Sequence, residues 1–130
     1  MDAEKNWRFC VVANIVRERI GEDGNTYYGT KEFKGGTRIY LYGTYEGIPG
    51  YTTVLGLNRF GKYEIAMIPQ SCIENVRVQR IYNKTVLEII DHEARNEGAV
   101  WWGSKASDRK EAKAFADMIK ERAGINSEEL

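Results

Sequence analysis

Few of the 130 side chains offer chemistry: one histidine (His92), two cysteines (Cys10 and Cys72), and an aromatic set dominated by eight tyrosines. His92 stands in the polar run Asp91-His92-Glu93. On a helix adjacent residues diverge, so Asp91 is badly placed to orient His92 as a catalytic base. Cys10 lies in the apolar run CVVANIV. Burial there would raise the thiol pKa and block access, which leaves a Cys10–His92 nucleophilic pair unsupported. One histidine and two distant cysteines cannot complete a structural zinc site, and neither CxxC nor HExxH occurs. Glu88 and Asp91, three apart, have a spacing that solvated helices show by chance. The segments KGGTR and GKYEIA match neither glycine-rich phosphate cradle. These residues predict no catalytic group, no metal site and no cofactor, and the expectation is a protein that is not an enzyme.

The aromatic residues point elsewhere. In GGTRIYLYGTY (35–45), Thr37, Ile39 and Leu41 alternate with Arg38, Tyr40 and Tyr42, the period of a strand. A tyrosine pairs a flat apolar body with a polar tip, so a cluster can hold a proline-rich segment, a cation or a base. Tyr45, Tyr51, Phe60 and Tyr63 could gather near the same hairpin ends. Trp101 and Trp102 are adjacent, and in a strand they would face opposite ways, leaving one as a binding anchor. The expected contact residues are therefore Tyr40, Tyr42, Trp101 and Trp102. Arg38 would add a charged hydrogen bond to the partner. The competing reading is that the rings cover a sheet face beneath the C-terminal helices, where Phe115 and Ile119 need a surface to dock on.

The elements that would position these residues follow from periodicity and turn chemistry. The first six residues read as a frayed tail. A strand is expected at about 8–17, with Val11, Val12, Ile15 and Val16 in a core. Gly21, Asp23-Gly24 and Asn25 then form a hairpin tip, and Gly35-Gly36 a turn. Further strands are expected at 37–43, 51–60, 63–68 and 76–82, with Gly61 in a hairpin and Pro69 ending the fourth strand. PQSCIEN has room for one helical turn. Asn83 caps a helix over 84–95 with Val86, Leu87, Ile90 and Ala94 on one stripe. The rival reading of TVLEII is a strand, because it is rich in β-branched residues. A second helix starts after Ser107. Its stripe is Ala112, Phe115, Ala116, Ile119 and Ala123, and Gly124 ends it.

Strands at roughly ten-residue spacing followed by helices predict a mainly β (β+α) single domain over 1–130. Within it, 7–82 would form a barrel and 83–124 a helical extension. FKGGTRIYL, the hairpin LNRFGKYEIAMIP, the single turn QSCIEN and the closing strand VRVQRIY resemble an SH3-like five-stranded barrel over residues 8–82. That class includes peptide readers, methyl-lysine readers, RNA-associated domains and plain structural units, so the resemblance leaves function open. The run CVVANIV…YGTKEFKGGTRIYL is also similar to small bacterial proteins to which no activity is attached.

Charge narrows the partners. Nineteen basic residues balance nineteen acidic ones, which argues against a nucleic-acid or membrane surface. MDAEKNW lacks the basic-then-apolar pattern of an export signal, and no apolar run approaches the ~20 residues of a membrane helix. Two cysteines are too few for a disulfide scaffold. The expectation is a cytoplasmic, non-catalytic module that binds a protein or peptide through its aromatic face. A single-stranded nucleic-acid platform using Arg38, Arg59, Arg77 and Arg80 is the alternative, and a homodimer is a further possibility.

Overall fold

The computed structural model describes residues 7–42, 50–96 and 109–122. The expected tail at 1–6, the caps Ser107 and Gly124, and Ala123 lie outside the described residues. The strands are β1 (Arg8–Ile15), β2 (Arg19–Ile20), β3 (Thr26–Tyr27), β4 (Arg38–Tyr42), β5 (Tyr51–Leu57), β6 (Tyr63–Pro69) and β7 (Ile73–Ile81). A single 3-10 turn, Gln70–Cys72, joins β6 to β7, and the helices α1 (Lys84–Asn96) and α2 (Arg109–Arg122) follow. The class is the expected one: a five-stranded antiparallel sheet with two helices. β2 and β3 form a separate two-stranded hairpin around Asp23-Gly24.

The strand order is β6-β5-β4-β1-β7. Contrary to the barrel expected over 7–82, among the described residues the sheet does not close, and β6 and β7 are its two edges. The physical reason lies in the helices. A sheet curls shut when its own faces must bury one another; here α1 and α2 supply apolar cover instead.

β1 and β4 are buried on both faces. Cys10 and Val12 point one way and Val11, Ala13 and Ile15 the other, and all five are buried. In β4, Ile39, Tyr40 and Leu41 are all buried. Cross-strand register carries these faces across the sheet. Val12 pairs with Tyr40, Tyr40 with Leu55, and Leu55 with Ile65, forming the Cys10 face. Val11, Leu41, Val54 and Ala66 form the other.

Helix α1 lies over the Cys10 face. Arg8 shares that face with Cys10 and reaches Asp91 of α1 at 2.7 Å. Asn83 Nδ2 donates to the hydroxyl of Tyr63 at 3.4 Å, tying the start of α1 to β6. The helix reading of TVLEII holds because Asn83 caps it: its Oδ1 accepts from the amide of Val86 at 3.1 Å. Val86, Leu87 and Ile90 are buried as the stripe requires. The side chain of Ala94 lies outside the described residues. Helix α2 packs against β1 and β7, and the small Ala112 and Ala116 allow close approach. The guanidinium of Arg109 sits 5.8 Å from the centroid of the Phe9 ring, on the face opposite Cys10.

β7 begins at Ile73, three residues before the strand expected at 76–82. It does so through a bulge. The β1–β7 register shifts between Val12 and Asn14, and Asn75 takes a positive φ of 58°, a conformation asparagine tolerates.

Phe33, in the long connection before β4, is fully buried although no periodic pattern marks it. Its ring lies over Gly56. A β-carbon at Gly56 would stand 2.8 Å from Ile39 Cγ2 and 3.2 Å from Phe33 Cε1. Overpacking of this kind costs about 1–3 kcal/mol. Gly56→Ala is therefore expected to lower the urea midpoint by that amount of stability without changing the slope of the transition.

Candidate binding surface

Tyr40 does not present a ring to solvent: it is 4% exposed. The opposite-face logic of the alternation is correct, but that face is covered at Val12, Tyr40 and Leu55. The Tyr40 hydroxyl accepts a hydrogen bond from Arg38 Nη2 at 2.7 Å, and the same guanidinium lies 5.3 Å from the ring centroid. Burial raises the Tyr40 pKa above its ordinary value, with Arg38 offsetting part of the effect. Tyr40 thus orients Arg38, which is exposed. Tyr42 ends β4, but its side chain, along with Tyr45, Trp101 and Trp102, lies outside the described residues.

Of the other arginines expected in a nucleic-acid platform, Arg77 stays near Arg38 on the Cys10 face, while Arg80 and Arg59 lie apart from them. Arg77 donates to Asn14 Oδ1 at 2.9 Å and to the carbonyl of Asn75 at 2.7 Å. Burial and the nearby charge of Arg38 lower its pKa. Arg80 lies on the opposite face, 4.5 Å from the centroid of Trp7 and 5.2 Å from that of Phe9. Arg59 donates to the carbonyls of Tyr28, Thr30 and Phe33 at 2.8–3.3 Å. It clamps the loop that carries Phe33 onto the β5–β6 hairpin.

Cys10 and Cys72 are free and buried, and burial pushes the Cys10 thiol far above the usual thiol range. His92 is on the exposed side of α1. Among the described residues no three His, Cys, Asp or Glu side chains gather as metal ligands, and no helix is long and apolar enough to cross a membrane.

Exposed apolar side chains remain on the Cys10 face at the two ends of β5 and along β6, flanking the buried Leu55. Tyr51 and Leu57 on β5 are each 46% exposed, and Ile65 and Met67 on β6 are 36% and 43% exposed. All four lie on the Cys10 face, because Leu57 pairs with Tyr63, Leu55 with Ile65, Thr53 with Met67 and Tyr51 with Pro69. Arg38 belongs to the same surface. It precedes Ile39, whose partner is Gly56, and so stands beside the Leu57 end of the row. Phe60, at the hairpin tip, is also exposed.

The backbone of β6 completes this surface. Asn58 N donates to Lys62 O at 2.7 Å and Gln70 N to Gly50 O at 2.9 Å, which brackets the β5–β6 ladder and fixes its phase. By the alternation of antiparallel pairing, Glu64, Ala66 and Ile68 direct their N–H and C=O groups at β5. Tyr63, Ile65 and Met67 direct theirs at the free edge, as does the carbonyl of Pro69. Pro69 has no N–H to offer there, the position at which a strand tolerates proline. The hairpin is set by Asn58, whose Oδ1 accepts from the amides of Phe60 and Lys62 at 2.9 and 3.0 Å. Its Nδ2 donates to Glu64 Oε1 at 3.0 Å.

The Tyr40-centred reading missed this row, although its signals were present. YEIAMIP alternates Ile65 and Met67 with Glu64 and Ala66, and its proline marks an edge as well as a stop. Comparison with protein-family models, with curated proteins and with solved structures found no match.

The two buried hydroxyl and thiol groups predict an alkaline limit. A raised folded-state pKa leaves stability intact below the unfolded value and removes it as pH climbs from that value toward the folded one. Stability should therefore hold to about pH 8.5 and then fall by about 1.4 kcal/mol per pH unit as unfolded Cys10 ionises. Tyr40 adds a second proton above about pH 10. Urea titrations at pH 7, 9 and 10 should show that slope in the parent chain and its loss between pH 9 and 10 in Cys10→Ala.

Proposed function

We propose that this chain is a non-catalytic protein-interaction module, and that its binding surface is the apolar row Tyr51, Leu57, Ile65 and Met67 beside the free edge of β6. The observation that carries the reading is the coincidence of those side chains with strand backbone that no described residue pairs with. Side chains there supply desolvation, and the edge supplies directional hydrogen bonds. Arg38, held by the Tyr40 hydroxyl, would meet a carbonyl or carboxylate of the partner at one end of the row. Tyr42, Trp101 and Trp102 remain in the proposal as further flat contacts, and Tyr40 acts only as a support. The strand order and the single 3-10 turn before β7 favour an SH3-like arrangement opened at its β6–β7 seam. The seam would then be where a partner strand adds.

Selection of peptides from a displayed random library tests this. Extended apolar peptides should emerge, with affinities that change little between 50 and 300 mM salt. Met67→Lys should weaken them at least tenfold while leaving the melting temperature within a degree or two, since Met67 is exposed. Binding of single-stranded oligonucleotides that falls steeply over the same salt range would instead favour the nucleic-acid alternative. Peptide binding unaffected by Met67→Lys would overturn the placement of the site.

A further inference from the structure

We infer that the strand added at β6 belongs to a second copy of this chain, paired antiparallel about a two-fold axis through Ala66; the inference rests on the interaction surface proposed above. The two sheet edges differ in how they are protected. β7 carries a bulge, a positive-φ Asn75, and the charges Glu74, Arg77 and Arg80, with α2 packed against it. Those are the usual defences against edge pairing. Among the described residues β6 has neither bulge nor positive φ, and its defences are one charge, Glu64, and the terminal Pro69. Its register with β5 runs unbroken through seven pairs from Tyr63 to Pro69.

The pattern of β6 is compatible with itself. With the axis at Ala66, Ile65 of one copy faces Met67 of the other, and Tyr63 faces Pro69. Both Ile65–Met67 rungs exchange two hydrogen bonds. Each Tyr63 amide finds a Pro69 carbonyl, so the missing proline N–H leaves no carbonyl stranded in the centre. About six backbone hydrogen bonds form in all in this register under antiparallel alternation. On the reverse face Glu64 stands opposite Ile68, with Ala66 and Gln70 as diagonal neighbours, and meets no carboxylate. Shifting the axis to Ile65 would set the two Glu64 side chains diagonally across from each other, a like-charge contact that antiparallel pairs avoid. Glu64 is already drawn toward its own hairpin by Asn58 Nδ2. The chain's balanced formal charge adds no long-range repulsion between copies. In the dimer the two exposed rows would join into one apolar strip across the axis.

The axis position gives a chemical test. Ala66 would face its mate in a non-hydrogen-bonded pair, where Cα atoms lie about 4.5 Å apart, within the range a disulfide spans. Sedimentation velocity of the full chain from 1 to 200 µM is expected to show a monomer–dimer equilibrium, with the dimer growing as concentration rises. Ile65→Lys should make it monomeric throughout with an unchanged far-UV spectrum. Ala66→Cys, mildly oxidised, should give a reducible covalent dimer, whereas Thr53→Cys, one strand inward, should not. The native Cys10 and Cys72 are buried and do not compete. A parent chain monomeric at 200 µM, or a dimer that survives Ile65→Lys, overturns the inference; Ile65→Cys cross-linking in place of Ala66→Cys overturns the axis. A monomeric chain that still binds library peptides through Met67 would leave the interaction surface standing and remove only the second copy as its occupant.

Discussion

The structure depends on the double burial of its two central strands. β1 and β4 have apolar residues on both faces, so each face must find cover, and the two helices provide it. α1 is anchored over the Cys10 face by the Arg8–Asp91 ion pair and the Asn83 contact to Tyr63. α2 reaches the opposite face through its small Ala112 and Ala116. With the centre of the sheet covered from both sides, nothing forces it to curl shut. The open edges at β6 and β7, the burial of Tyr40 and the exposure of the outer row all follow from where that cover ends.

A second constraint acts on the loop between the small hairpin and β4. Phe33 fills the space above Gly56, and the fit is close enough that an added methyl group would collide with Ile39. Arg59 holds the loop by donating to three of its carbonyls, which places a guanidinium at the base of the β5–β6 hairpin. The same hairpin presents β6 to solvent. Core packing at Phe33 and the geometry of the free edge are therefore linked through one short turn.

The tyrosines separate into two roles once their surroundings are known. Tyr40 is a buried polar side chain satisfied by Arg38, and the pair fixes the direction of a surface charge. Tyr51 is a surface ring at the end of an apolar row. Alternation alone cannot tell these apart. It assigns a residue to a face, while exposure depends on whether a helix distant in sequence lies over that part of the face.

Local chemistry settled much of this protein. Apolar β-branched runs made the strands, Asn83 and Gly61 marked a cap and a hairpin, the single turn at Gln70–Cys72 followed from PQSC, and the apolar stripes named the buried sides of both helices. These features need only neighbouring residues to take effect, so they can be read along the chain. Cys10 inside an apolar strand likewise gave its own burial. What came only from the tertiary structure was the extent of cover: which strands were double-faced, that the sheet stayed open, that Tyr40 was sealed and Met67 was not. Phe33 joined the core through a loop with no period, and β7 began early because a bulge at Asn75 let it. Those outcomes turn on contacts between segments far apart in sequence, whose free energies depend on which surfaces meet, and no local pattern encodes that meeting.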